Sequence, residues 1–367
     1  MSLHQPRLAT RALILRAGCS LPRPLAASTA HGNLPLQSLQ ASGWPPLVDE
    51  PLRRVDEPRM RTGQVADHSS DSWAVPEPRE TVDVQMDDGT VVTVRRHGNP
   101  DGRRLVLSHG NGLAIDLYYP FWSLLADDFD LMVHDLRNHG WNSVGDLRDH
   151  TVPTFARDHD SILAAIDDSF GEKPKAGVFH SVSALAALLS PAKGSGYSAL
   201  VLFDPPLCQP GKGHSEFETA AKQTSALTRR RSPWFASSQT LIDVVQFMPA
   251  FRGAVPGIAE LMETTTLRED PGGDGYALRC TREYEAQIID YANVYAVSVD
   301  FGEIMCPVKV IGADPTIPYS YLPTLDLSDI LSVDYDFLPD ATHFLQLEQP
   351  TECVAMLREF LDSLPGA

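Results

Sequence analysis

The chain has 367 residues, of which 43% are hydrophobic and 8% aromatic, as is typical of a globular protein with a substantial core. Its net charge of −18 and its pI near 5.0 argue against binding to nucleic acids or anionic membrane surfaces, which require basic patches. The five cysteines form no CxxC motif, so neither a disulfide framework nor a zinc site is predicted. No apolar run reaches the roughly 18 residues of a membrane span.

Residues 1–75 differ in composition from the rest of the chain. The stretch from Met1 to Val48 contains no Asp or Glu, and its arginines are Arg7, Arg11, Arg16 and Arg23. Such a leader is compatible with a mitochondrial transit peptide, with a disordered extension, or with a true start nearer Met60. We favour a disordered extension or a start nearer Met60 over a transit peptide, and therefore a cytoplasmic protein, because prolines interrupt the segment.

From Glu80 onward, short apolar strands alternate with helices. Alternating residues around the turn Asp87–Gly89 predict an antiparallel β-hairpin. Further strands are predicted at 105–107, 129–134, 176–179, 200–203, 308–311 and 332–338, with helices at 119–126, 154–170, 184–189 and 351–361. This order predicts an α/β fold with a mostly parallel, doubly wound sheet that carries the hairpin at one edge.

The alternation stops between the strands at 200–203 and 308–311. Residues 207–303 contain helix-like segments and no clear strand, which predicts a helical cap inserted into a core formed by residues 80–206 and 304–367. Its larger apolar side chains, which either line a pocket or pack the cap on the core, are Trp234, Phe235, Phe247, Met248 and Phe251. The run Arg229–Arg231 is expected to be solvated.

Polar residues follow several of the predicted strands, at the carboxyl ends where a doubly wound sheet places its chemistry. The segment His109–Gly112 follows one strand, and its glycines allow backbone N–H groups to face a site. Ser181 follows another strand and opens a helix, which is the layout of a nucleophile elbow. Asp314 and His343 follow the last two strands.

The chain order Ser, acid, His matches a catalytic triad. A Ser hydroxyl needs a base to accept its proton, and the base needs a carboxylate to orient it, so Ser181, His343 and Asp314 form a candidate nucleophile, base and acid. Asp204 also ends a strand and is the alternative acid. Taken singly, Ser181 is more simply explained as an N-cap residue and Asp314 as a turn residue before Pro315, whereas His343 is as well explained by a capping role as by that of a base.

These motifs resemble the α/β-hydrolase superfamily, in the branch with a Ser nucleophile and a helical cap. The resemblance extends from about Val82 to Leu361 and includes Asp135–Gly140 and His343–Pro350. It implies that the backbone N–H groups of Asn111 and Val182 form the oxyanion hole, and that no cofactor or metal is needed. Because the nucleophile position is Ser and not Asp, epoxide hydrolase and dehalogenase activities are not expected.

The elbow departs from the usual G-x-S-x-G pattern, since Phe179 and Ser183 occupy the glycine positions. We therefore expect a small residue to face Phe179, and we expect a Phe179→Gly substitution to be tolerated.

The sequence favours a serine hydrolase that cleaves an ester, thioester or similar carbonyl of a small apolar substrate. Two alternatives remain open, namely hydrolysis of a carbon–carbon bond in a diketone-like compound and a non-catalytic ligand-binding protein on the same fold. No nucleic acid partner and no membrane span are expected, and the oligomeric state is not predicted.

Overall fold

The computed structural model describes residues 73–208, 214–270, 272–317 and 333–364. The predictions for the leader therefore lie outside the described residues, apart from residues 73–75. In these ranges no helix combines the length and apolar character needed to cross a bilayer.

The first half of the core follows the predicted alternation. It begins with the hairpin β1 and β2, which pair antiparallel from Glu80 with Arg96 to Gln85 with Val91. The elements in chain order are β1 (Glu80–Gln85), β2 (Val91–Gly98), β3 (Arg103–Ser108), α1 (Tyr119–Trp122), β4 (Phe129–His134), α2 (Val152–Phe170), β5 (Lys175–His180), α3 (Val182–Leu189) and β6 (Ala199–Phe203).

The segment between β6 and the next core strand contains both helices and short strands. Its elements are α4 (His214–Thr228), β7 (Trp234–Phe235), α5 (Ser238–Phe247), α6 (Ile258–Thr266), β8 (Leu267–Glu269), β9 (Tyr276–Leu278) and α7 (Arg282–Tyr295). The three strands form a small antiparallel sheet in the order β7-β9-β8. The expectation of a segment without strands was therefore wrong. We use the name cap for residues 207–303.

The second half of the core adds β10 (Val308–Gly312), β11 (Asp334–Phe337), α8 (Leu345–Glu348) and α9 (Pro350–Ser363). The eight-stranded sheet has the order β1-β2-β4-β3-β5-β6-β10-β11. The pairs β1–β2 and β2–β4 are antiparallel and the others are parallel. The predicted α/β fold, with its antiparallel hairpin at one edge, is confirmed.

Two apolar clusters lie on the two faces of this sheet. Leu105 and Leu107 of β3 belong to one cluster, and Val106 between them belongs to the other, as the alternation of side chains along a strand requires. Because helices cover both faces, strands such as β5 and β6 are buried along their whole length. The parallel strands thus bring the segments that follow β3, β5, β6, β10 and β11 to one edge of the sheet.

Candidate active site

Ser181 occupies a sharp turn between β5 and α3. Its backbone has φ 53° and ψ −120°, a conformation that L-residues rarely adopt and that is typical of functional turns. The turn is held in place because the N–H of Ser181 donates to the carbonyl of Phe203 at 2.9 Å. Ser183 Oγ accepts from the N–H of His180 at 3.1 Å and donates to its carbonyl at 2.8 Å, so it braces the same turn.

The ring of Phe179 is accommodated on the face of the sheet that α2 and α3 cover. It is fully buried and packs edge-on against His159 at 5.0 Å and against Tyr197 at 6.0 Å between ring centroids. A Cβ atom at Gly177 would lie only 2.4 Å from Cε2 of Phe179. Gly177 is therefore the small residue that leaves room for this ring, and Phe179 does not line the cleft above Ser181.

The side chains of Ser181, His343 and Asp204 form a hydrogen-bonded chain. Nε2 of His343 lies 3.0 Å from Oγ of Ser181, and Nδ1 of His343 lies 2.6 Å from Oδ2 of Asp204. A carboxylate accepts only, so Nδ1 carries the proton and Nε2 has the lone pair that faces the hydroxyl. All three side chains are buried. This is the geometry that a Ser-His-Asp triad requires.

Asp314, the preferred acid at the level of sequence, does not occupy that position. Its Oδ1 accepts from the N–H and the hydroxyl of Thr316 at 2.8 and 2.6 Å, and its Oδ2 accepts from the N–H of Asp340 at 2.8 Å. These bonds, led by the one from the Thr316 hydroxyl, hold the pKa of Asp314 below its ordinary value. Asp314 thus closes a turn, and the alternative acid, Asp204, is the residue at His343.

Asn111 and Val182, whose backbone N–H groups are predicted to form an oxyanion hole, line the same cleft as Ser181. Val182 is the first residue of α3, where the backbone N–H has no intrahelical acceptor. Among the described residues, no protein group accepts from the N–H of Asn111. A Cβ atom at Gly110 would lie 2.7 Å from Nδ1 of His180 and 3.3 Å from Cβ of Ser181, so only glycine allows this loop to approach the elbow so closely.

A buried network that the sequence analysis missed connects the loop before Asn111 to the loop of His343. Nε2 of His180 donates to the carbonyl of His343 at 2.8 Å, and the Tyr118 hydroxyl donates to Nδ1 of His180 at 2.6 Å. The same hydroxyl accepts from the N–H of Gly110 at 3.2 Å. Burial, and secondarily the nearby His343, lowers the pKa of His180 well below its ordinary value, so this ring is neutral.

The cleft above Ser181 is lined mainly by apolar side chains and encloses about 110 Å³. Of the large apolar residues predicted in the cap, Met248 and Phe251 line it, Phe235 is buried elsewhere, and Trp234 and Phe247 are exposed. Its other apolar walls include Leu113, Met262, Ile288, Ile289 and Phe344. Arg231 and Glu285 also line the cleft, and no sequence motif points to a role for Glu285.

A second cluster of chemically active side chains lies nearby and contains His139, His150 and Cys280. Nδ1 of His139 donates to the Arg137 carbonyl at 2.9 Å, so its Nε2 lone pair accepts from the N–H of Gly112 at 3.1 Å. The lone pair on Nδ1 of His150 accepts from the Asn138 amide at 2.8 Å.

Both imidazole lone pairs in this cluster are therefore already engaged. The Asn138 amide cannot turn over, because its Oδ1 accepts from the N–H of Gly145 at 2.6 Å. Burial raises the pKa of the Cys280 thiol well above its usual range, so this sulfur is protonated and is a poor metal ligand. These donors do not fit a metal ion in their present arrangement.

The chain belongs to the alpha/beta hydrolase family, whose model matches residues 105–356. The match includes β3 from Leu105 onward, the elbow, the cap and the His343 loop. A comparison with curated protein sequences finds no match.

Solved structures with the same fold include several hydrolases. The E-2-(acetamidomethylene)succinate hydrolase has 14% identity and a TM-score of 0.60, with 77% of this chain and 99% of that chain covered. The thioesterase domain of the curacin biosynthetic pathway has 16% identity and a TM-score of 0.57, covering 76% and 98%. An esterase from Thermogutta terrifontis has 18% identity and a TM-score of 0.52, covering 77% and 98%. At these identities the likeness concerns the fold alone.

Proposed function

We propose that the protein is a serine hydrolase that cleaves an ester, or a thioester or related carbonyl compound, of a small and largely apolar substrate. The observation that carries the proposal is the chain of contacts from Ser181 through His343 to Asp204, at 3.0 and 2.6 Å. The apolar cleft directly above Ser181 supports a small-molecule substrate.

In the proposed reaction, Oγ of Ser181 attacks the carbonyl carbon while Nε2 of His343 accepts the hydroxyl proton. The N–H groups of Asn111 and Val182 stabilise the oxyanion, and Asp204 stabilises the imidazolium. The ester C–O bond then breaks, and His343 delivers the proton to the leaving oxygen. Water, deprotonated by His343, attacks the acyl-enzyme, which releases the acid and restores Ser181.

The test is covalent labelling with a fluorophosphonate, followed by intact-mass measurement. We expect one adduct on the wild type, none on Ser181→Ala, and a loss of p-nitrophenyl ester turnover of at least about 10⁴-fold in that variant. Ser183→Ala is the matched control, because it also removes a serine hydroxyl from the elbow, but one that bonds the backbone of His180. The adduct should still form in this variant, at a lower rate if the turn loosens.

A folded wild type that shows no adduct would instead support the non-catalytic alternative. Turnover of a vinylogous diketone faster than that of p-nitrophenyl esters would support hydrolysis of a carbon–carbon bond, which uses the same three types of residue.

A further inference from the structure

Two charged side chains, Arg231 and Glu285, stand out in the mainly apolar cleft. Their side chains are only 11% and 15% exposed, and they form an ion pair with each other. Partly burying two charges is unfavourable, and a pair of apolar residues of similar volume would often stabilise a protein as well or better. A pair at this position is therefore a candidate for recognition of the substrate.

Glu285 lies directly against the segment His109–Gly112, which contains the proposed oxyanion donor Asn111. A Cβ atom at Gly112 would lie 2.8 Å from Cδ of Glu285 and 2.9 Å from its Oε2. The side-chain amide of Asn111 donates to the backbone carbonyl of Glu285 at 2.9 Å. Since the N–H of Asn111 is a proposed oxyanion donor, a carbonyl bound there has the Glu285 carboxylate as a close neighbour.

The hydrogen bonds of the pair leave an acceptor on Glu285. Oε2 of Glu285 accepts from Nη2 of Arg231, whereas Oε1 accepts from no group among the described residues. A carboxylate offers about four lone-pair directions, so Glu285 can accept further hydrogen bonds. The guanidinium of Arg231 balances the charge of the Glu285 carboxylate, which makes the pair neutral as a whole and favours a neutral hydrogen-bond donor over an anion.

We propose that Glu285, held by Arg231, binds an N–H or O–H donor that the substrate carries close to the scissile carbonyl. The substrate class is thus a neutral acyl ester or thioester with an amide or hydroxyl group in its acyl chain. The inference rests on the proposed function, because it concerns the same cleft and the same reaction.

The test compares two p-nitrophenyl esters that differ by one group, N-acetyl-β-alaninate and 5-oxohexanoate. The first has an amide N–H where the second has a methylene. We expect the wild type to have a kcat/KM about tenfold higher for the amide ester, because hydrogen bonds to charged acceptors are the stronger ones. In the double variant Arg231→Met/Glu285→Leu this ratio should fall to about one.

A second variant, Glu285→Gln, tests the inference even when the double variant does not fold. It keeps the shape of the side chain and removes its charge, so it should reduce the ratio by about threefold. The control is Arg229→Gln/Asp290→Asn. It removes an exposed ion pair between Arg229, which directly follows α4, and Asp290 of α7. That control should retain the full ratio.

Three outcomes would overturn the inference. Equal kcat/KM for both esters in the wild type would overturn it while leaving the proposed function intact. A preference of the wild type for p-nitrophenyl succinate over both would identify Arg231 as the recognising group. Absence of turnover of every ester, together with absence of the fluorophosphonate adduct, would overturn the proposed function and the inference with it.

Discussion

At the scale of single residues, Asp204 is held in position by its backbone as well as by its side chain. Its N–H donates to the carbonyl of Ile311 at 2.8 Å, and its Oδ1 accepts from the N–H of Ala313 at 3.2 Å. Its φ of 37° turns the chain sharply after β6. Oδ2 of Asp204 is thereby aimed at His343. Because Asp314 bonds other groups, mutating each acid separately distinguishes their roles.

We expect Asp204→Asn to reduce kcat for ester hydrolysis by about 10⁴-fold, because an amide in this position favours the wrong tautomer of the base. Asp314→Asn should leave kcat within about threefold of the wild type, since this side chain bonds Thr316 and the backbone of Asp340. Steady-state kinetics of the two variants, each with a thermal melt to verify folding, would measure the difference. The reverse pattern would restore Asp314 as the acid.

The sequence identified Ser181, His343 and both candidate acids, but it placed Asp314 ahead of Asp204, whereas Asp204 is the acid that contacts His343. Ser181, His343 and both acids follow strands, and the parallel order brings all these ends to one edge. The alternation of strands does not reveal which of the neighbouring ends, after β6 or after β10, turns its carboxylate toward His343. That depends on the backbone turn at Asp204 and on the hydrogen bonds of Asp314 within its own loop.

At the scale of elements, long periodic segments were predictable and short ones were not. The core strands and α2 have clear apolar periodicity, and the described structure contains them within a few residues of the predicted bounds. The cap strands β7, β8 and β9 have two or three residues each, which is too short for any periodicity to be detected. The Tyr118–His180 network also has no sequence signature, because its members are far apart along the chain.

The packing of Phe179 in β5 contradicts the expectation that Phe179→Gly is tolerated. Phe179 is fully buried, so Phe179→Gly should not be tolerated well and should cost at least the roughly 3–5 kcal/mol of a Phe→Ala change in a core. Gly177→Ala should cost about 1–3 kcal/mol, because the new Cβ would lie 2.4 Å from Phe179 and 2.7 Å from Cδ2 of Leu200.

Urea unfolding of both variants would measure these changes in the free energy of unfolding. A double-mutant cycle adds the single variant Phe179→Leu and the double variant Gly177→Ala/Phe179→Leu. The shorter side chain leaves room for the new methyl group, so the loss in the double variant should be smaller than the sum of the losses in Gly177→Ala and Phe179→Leu. Strict additivity would show that Gly177 and Phe179 do not share the same space.

At the scale of the whole molecule, the described part of the chain buries many neutral histidines. Burial is the leading cause that lowers the pKa of His97 and His134 to about 4, of His139 and His159 to about 3, and of His150 to about 2. Burial also lowers the pKa of His109 and His180. In the unfolded chain each of these side chains titrates near about 6.5.

These shifts predict that the protein loses stability in mild acid. Below about pH 6.5 the unfolded state binds protons that the folded state does not bind, so the free energy of unfolding falls as the pH falls toward the folded pKa values. From about pH 7.5 to about pH 5.5 each fully neutral histidine contributes a loss of about 1 kcal/mol, and several together account for much of an ordinary stability. The raised pKa of the buried Glu348 carboxyl acts in the opposite sense and offsets part of the loss.

Urea unfolding at a series of pH values would measure this dependence, with His159→Gln as the informative variant. Nε2 of His159 lies 3.0 Å from the Tyr197 hydroxyl, and its pKa is lowered to about 3 by burial, so it titrates only in the unfolded chain across this range. Glutamine cannot titrate, so the variant should lose about 1 kcal/mol less than the wild type between about pH 7.5 and about pH 5.5, whatever its stability at neutral pH. An identical pH dependence in the two proteins would show that His159 is protonated in the folded state or that other groups set the acid sensitivity.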